Sequence, residues 1–192
     1  VSVPMIPISS KRLEFFSDAV LAVAITLMVL RITPPIASGG ETLGEAFWSD
    51  TVPQILYFLV TFAVIVSFWV GHHDVFAKMG PEASRRVVSA NMVFLALICL
   101  LPFGLEFFSD EPSSVLTTAV YAGLLALSSL AMTWLQWVAV DDHSLDGIGR
   151  AVVFVLAIPL APLIGGFSPL IWMLNWPVTN YFDRTYPGGR RA

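Results

Sequence analysis

Residues 12–30 read RLEFFSDAVLAVAITLMVL, and where this stretch is placed decides the fold. From Ala19 to Leu30 it carries no charge, which as a helix covers about 18 Å, short of the ~30 Å hydrocarbon core of a bilayer. It crosses only if Asp18 enters the membrane or its edge, which gives a first span over 13–33. Three more uncharged runs, 51–71, 87–105 and 112–140, are each long enough to cross alone. Segment 151–182 would make a helix of about 48 Å, too long for one ordinary span. Pro159, Pro162, Gly165, Gly166 and Pro169 interrupt it, so it reads as two short helices joined by a tight turn. The expected architecture is an all-α membrane protein of six transmembrane helices per subunit. Its approximate spans are 13–33, 51–72, 87–106, 113–138, 149–166 and 168–183, in a single domain over residues 1–192.

Composition supports lipid as the main solvent. Of 192 residues, 56% are hydrophobic and 12% charged, about half the charge of an ordinary soluble domain. No basic tract suggests nucleic acid. The one cysteine, Cys99, excludes a disulfide within the chain, and inside its apolar run it reads as a buried structural thiol. Lys11 and Arg12 ahead of an apolar stretch, with Ala37 and Ser38 beyond it, mimic a secretory leader; Glu14 and Asp18 fit that alternative poorly.

Charge placement supports the count. With an inside amino terminus and six spans, Lys11, Arg12, Lys78, Arg85, Arg86, Arg150, Arg184, Arg190 and Arg191 fall on the inner side and only Arg31 outside. Reading 151–182 as one span would move the three terminal arginines outward. Six spans with both termini cytoplasmic is therefore the better topology. Pro34 and Pro35 stop the first helix, and Gly39 and Gly40 open an outer loop carrying Glu41, Glu45 and Asp50. That loop and the outer turn at Glu106, Asp110 and Glu111 read first as solvated acidic surface, with modest concentration of cations as the alternative. Gly40 and Gly44 have GxxxG spacing but fall in a loop.

An ionisable side chain near hydrocarbon costs a few kcal/mol, so Asp18, next to Ser17, needs partners or water. Trp69, His72 and His73 at the inner end of the second helix, and Asn91 at the inner end of the third, lie at matching depth. Arg12 is six residues from Asp18 and on a different helix face, which disfavours a pair within the helix. His72, His73 and Asp74 are weak metal ligands as a set, because adjacent helical residues point about 100° apart. No nucleophile elbow accompanies the scattered Ser, His and Asp, so an enzyme is not expected.

The stretch at 12–30 resembles the RxxxFSD signature and apolar helix of the bacterial transmembrane protein 175 channels, with Arg12, Phe16, Ser17 and Asp18 at the signature positions. FWVGHHDVF at 68–76 and NMVFLALICLLPF at 91–103 are similar to that family's second and third helices. The resemblance implies a potassium-preferring cation channel in the bacterial cell membrane, a homotetramer in which four first helices surround the pore. It implies no cofactor, only permeant potassium ions. The signature is implied to act as a structural bracket, and Val23, Thr26 and Leu30 to line the pore, with Ala19 and Ala22 extending that face inward. Geometry permits the assignment: Thr26 and Leu30 lie about −60° and −20° from Val23 around the helix. Val20 with Leu27, or Leu21 with Met28, has the same spacing, so periodicity alone leaves the choice open.

No TVGYG-like loop is present, so selectivity by a ladder of backbone carbonyls is not expected. Rings of Val23 or Leu30 would close the pore by dewetting, and four Thr26 hydroxyls would replace part of the ion's hydration shell. Val23 is smaller than the leucine or isoleucine expected there and would loosen that constriction. Three alternatives remain open: a proton relay through Asp18 and the histidines, a secondary transporter at the interrupted fifth helix, and a non-conducting scaffold. No S4-like arginine series is present, which disfavours steep voltage sensing.

Overall fold

Backbone amides inside a bilayer find no water, so apolar runs satisfy them as helices. The computed structural model describes residues 8–141 and 146–164. Its elements are β1 (Ile8–Ser9), α1 (Ser10–Val29), α2 (Leu43–Ala46), a π-helical turn (Phe47–Thr51), α3 (Val52–Lys78), β2 (Glu82–Ala83), α4 (Arg85–Asp110), α5 (Val115–Val140) and α6 (Asp146–Ile164). The three long uncharged runs lie largely in α3, α4 and α5. Three described helical stretches are long and apolar enough to cross a membrane: Leu43–Lys78, Arg85–Asp110 and Val115–Val140. The 20 residues of α1 measure about 30 Å, although Lys11, Arg12, Glu14 and Asp18 occupy its first half. The sixth expected span, 168–183, lies outside the described residues.

Local chemistry sets the helix ends. The first helix ends at Val29 rather than near 33, because the proline after Thr33 disfavours helical backbone before it. Leu30 caps it, its N–H bonding the Leu27 carbonyl at 3.3 Å. The outer loop is more ordered than its glycines suggest. Thr42 and Glu45 form a reciprocal capping box that starts α2, and the π turn runs on into α3. Gly44 therefore belongs to a short helix rather than to a loop, whereas Gly40, at φ +94°, holds the preceding turn. Ser84 caps α4, its hydroxyl accepting from the Val87 N–H at 3.3 Å. A two-residue antiparallel ribbon, Ile8 opposite Ala83 and Ser9 opposite Glu82, ties the start of α1 to the α3–α4 connection. Sequence patterning gave no sign of so short a ribbon.

The packing places α4 against α5, α5 against α6, and α1 against both α4 and α3. Phe68, Phe94, Ile98, Leu101, Phe108, Tyr121 and Leu125 form the inner core. The Tyr121 hydroxyl meets the Thr61 hydroxyl, linking α5 to α3 within that core. Close approach depends on two glycines. A Cβ on Gly104 would lie 2.7 Å from Leu124 Cδ1, and one on Gly147 would collide with the Thr133 side chain. Burial corrects one expectation: Cys99 is exposed on α4, beside the exposed Leu100 and near the exposed Phe103. In a chain solvated by lipid, an apolar neighbourhood in sequence does not imply burial within the subunit. Gly147→Val is expected to force α6 away from α5 and cost about 1–3 kcal/mol, as overpacking of a close contact does. Thermal unfolding in detergent checks this; an unchanged midpoint would show that the contact yields.

Candidate functional site

Two faces of α1 have different surroundings. Leu13, Ser17, Leu21, Ala24 and Met28 are buried, a spacing of four, four, three and four residues that keeps them on one helical stripe. Ala19, Ala22, Val23, Thr26 and Leu30 are exposed on the single chain, Val23 at 55% and Leu30 at 74%. The burial of Leu21 and Met28 removes one of the alternative stripes, and Val20 is half-buried against the core. The Thr26 hydroxyl donates to the Val23 carbonyl at 2.9 Å. Its proton is thereby committed, and its oxygen lone pairs stay available to accept.

The buried face carries a chain of directed hydrogen bonds. The Asn91 amide on α4 donates from Nδ2 to Ser17 Oγ at 2.9 Å, and its Oδ1 lies 2.9 Å from His72 Nε2 on α3. A carbonyl oxygen only accepts, so His72 carries its proton on Nε2. Ser17 in turn donates to the Leu13 carbonyl at 2.9 Å. His72, Asn91 and Ser17 are each fully buried. His72 stacks against Phe76 at 4.4 Å and Phe94 at 5.8 Å. The chain runs from imidazole to amide to hydroxyl and stops at a backbone carbonyl, which cannot pass a proton onward.

Beside it, nearer the surface, the Trp69 indole donates to Asp18 Oδ1 at 2.9 Å. His73 Nδ1 lies 3.2 Å from Glu14 Oε1, and the Trp69 and His73 rings stack at 6.2 Å. Trp69, His73 and Asn91 thus meet three consecutive polar positions of α1, Asp18, Glu14 and Ser17, and His72 joins them through Asn91. Of the signature residues, Arg12 and Phe16 take no part in this network and are exposed, Phe16 at 51%. Among the described residues, no group of three or more His, Cys, Asp or Glu side chains is placed to hold a metal ion.

The opposite end of α1 is also held, by pairings that sequence reasoning did not anticipate. Thr33 offers its N–H and hydroxyl to Gln54 Oε1 at 2.8 and 3.1 Å, while Thr51 donates to the Thr33 carbonyl at 3.2 Å. Arg31 pairs with Glu106 on α4 at 2.7 Å. The one available signal was depth: Arg31 and Glu106 both close the outer ends of their helices. Replacing Asn91 by Leu is expected to orphan Ser17 and His72 together, costing about 2–4 kcal/mol by the desolvation of two buried groups. Asn91→Asp keeps a similar shape and separates packing from hydrogen bonding. Chemical denaturation of both variants measures the loss, and a stability within 0.5 kcal/mol of the parent would exclude the role given to Asn91.

Residues 12–102 match the family described as endosomal/lysosomal potassium channel TMEM175. A potassium channel of Streptomyces collinus is 33% identical over 132 residues, 67% of this chain and 63% of that protein. A potassium channel of Chamaesiphon minutus is 34% identical over 161 residues, 74% of this chain and 77% of that one. The crystal structure of a lysosomal potassium-selective channel TMEM175 homolog from Chamaesiphon minutus superposes with a TM-score of 0.70 at 28% identity, covering 92% of this chain and 97% of the other. A signature helix bracketed at Ser17 and Asp18, a matching helical fold and a third of residues shared along most of a relative's length have one explanation: the chain belongs to the TMEM175 family.

Proposed function

We propose that this chain is one subunit of a potassium-preferring cation channel in a bacterial cell membrane. Four copies surround an axis lined by α1, each subunit crossing the membrane six times with both termini cytoplasmic. The observation that carries this reading is the division of α1. One face is locked into the subunit by Ser17, Leu21 and Met28, and the other leaves Val23, Thr26 and Leu30 exposed among the described residues. Such a face meets either lipid or copies of itself. A polar Thr26 at the middle of the stripe favours copies of itself, since a hydroxyl lone pair aimed at lipid gains nothing. The relatives named as potassium channels support the choice of ion.

Rings of Leu30 and Val23 close the path by excluding water, and a small outward movement of the helices rewets it. The oxygens of Thr26 supply partial ligation between them, with Ala19 and Ala22 widening the inner part. No cofactor, metal or chemical step is needed, and the chain acts as a conduit rather than an enzyme. A proton relay is the weaker reading, because the hydrogen-bond chain from His72 ends on the Leu13 carbonyl.

Purified protein in liposomes under opposed potassium and sodium gradients tests the proposal. Potassium flux is expected to exceed sodium flux. Thr26→Ala is expected to reduce that preference, and Leu30→Ala to raise the resting leak roughly tenfold, as when ~1.4 kcal/mol is removed from a barrier. Absence of flux at every voltage and pH would leave a scaffold. Unaltered selectivity in Thr26→Ala, with loss of transport in Asp18→Asn, would favour the relay.

A further inference from the structure

The outer end of α1 places a positive charge directly after the last pore position. Arg31 follows Leu30, and its N–H still bonds the Met28 carbonyl at 3.2 Å, so the helical path continues one residue further. At this end of the bundle Arg31 is the one basic side chain among the described residues. Glu41, Glu45, Asp50, Asp110 and Glu111 fall at the same end of the bundle. Four uncompensated guanidinium groups just beyond the Leu30 ring would form a positive collar, an arrangement that suits anions rather than cations. No such collar forms. The Arg31 guanidinium donates to Glu106 Oε1 at 2.7 Å, drawn toward α4 and away from the exposed face that holds Thr26 and Leu30.

Both side chains are about half exposed, 47% for Arg31 and 41% for Glu106, so the pair adds little to stability. Its effect on the field at the mouth is a separate matter, because an ion passing the Leu30 ring meets either four neutral pairs or four cations. We infer that Glu106 sets the cation conductance by neutralising Arg31 and holding it against α4, off the ion path. This inference rests on α1 being the pore helix. It adds a conductance-determining residue on a helix that does not itself line the pore.

Single-channel potassium currents in planar bilayers at about 10 mM and about 1 M salt test it, comparing wild type, Glu106→Gln, Arg31→Gln and the double variant. The Debye length falls from ~30 Å to ~3 Å between these conditions, so a charge effect must fade with salt. Glu106→Gln is expected to lower conductance about threefold at ~10 mM and to converge with wild type at ~1 M. Arg31→Gln is expected to conduct at least as well as wild type at low salt, and the double variant to recover from the Glu106→Gln loss. Preference for potassium over sodium stays unchanged in all four, since Thr26 lies deeper. Equal, salt-independent losses in Glu106→Gln and Arg31→Gln would make the pair structural and overturn the inference. So would an unchanged Glu106→Gln current at low salt. If Glu106→Gln does not assemble, a fall in low-salt conductance for Arg31→Gln alone overturns it. A wild type that carries no potassium current is a different failure, since it removes the pore assignment and this inference with it.

Discussion

In apolar surroundings an amide without partners costs about 1–3 kcal/mol for each group left unpaired, and that constraint governs how α1, α3 and α4 meet at Asn91. The Asn91 side chain donates to α1 through Ser17 and accepts from α3 through His72, so one residue measures the spacing of three helices at once. Sliding α1 by one residue would turn Ser17 about 100° away and leave the Asn91 amide N–H without its acceptor. The apolar members of the buried stripe, Leu13, Leu21, Ala24 and Met28, tolerate small shifts because dispersion is non-directional. The hydrogen bonds do not. They select one register out of several that hydrophobic packing alone would accept.

That register determines which residues are left outside. Once Ser17 faces α4, the helical repeat turns Val23, Thr26 and Leu30 away from the subunit with no further instruction. The far end is secured differently. Thr33 is clamped to Gln54 on α3 and to Thr51 of the π-helical turn, and Arg31 is drawn to Glu106, at positions that are exposed or half-buried except for the buried Thr51. Buried, directional bonds at one end and solvated ones at the other make the two ends of α1 unequal in stability. Movement of α1 is therefore easier at the Leu30 end than at the Ser17 end.

Much of the helical layout was legible from charge and length, because long uncharged runs have few uses other than crossing lipid or filling a core. Depth along the helices also brought Trp69, His72, His73 and Asn91 near Ser17 and Asp18. What sequence did not disclose was the pairing within that group. It depends on rotation of α3 and α4 about their own axes: Asn91 takes Ser17 and His72, while Trp69 takes Asp18. Periodicity could not choose among three stripes on α1, since 3.6-residue spacing fits each, and only the burial of Leu21 and Met28 disposed of one. Cys99 shows the converse limit. Its neighbours are apolar, yet its face of α4 is turned outward, and hydropathy does not distinguish lipid from core as the apolar partner.

The chemistry of Thr26 bears on how selective such a pore can be. With its proton given to the Val23 carbonyl, each hydroxyl presents an oxygen whose direction is fixed by the helix backbone rather than by the ion. In the proposed tetramer, four such oxygens in one plane would not replace a full hydration shell, so a passing ion would keep water above and below the ring. Discrimination then rests on the difference in cost of removing part of a shell from potassium and from sodium. That difference is smaller than a filter which strips the ion completely can exploit. If α1 lines the pore as proposed, a stripe of this composition would accordingly favour the more weakly hydrated cation to a modest degree.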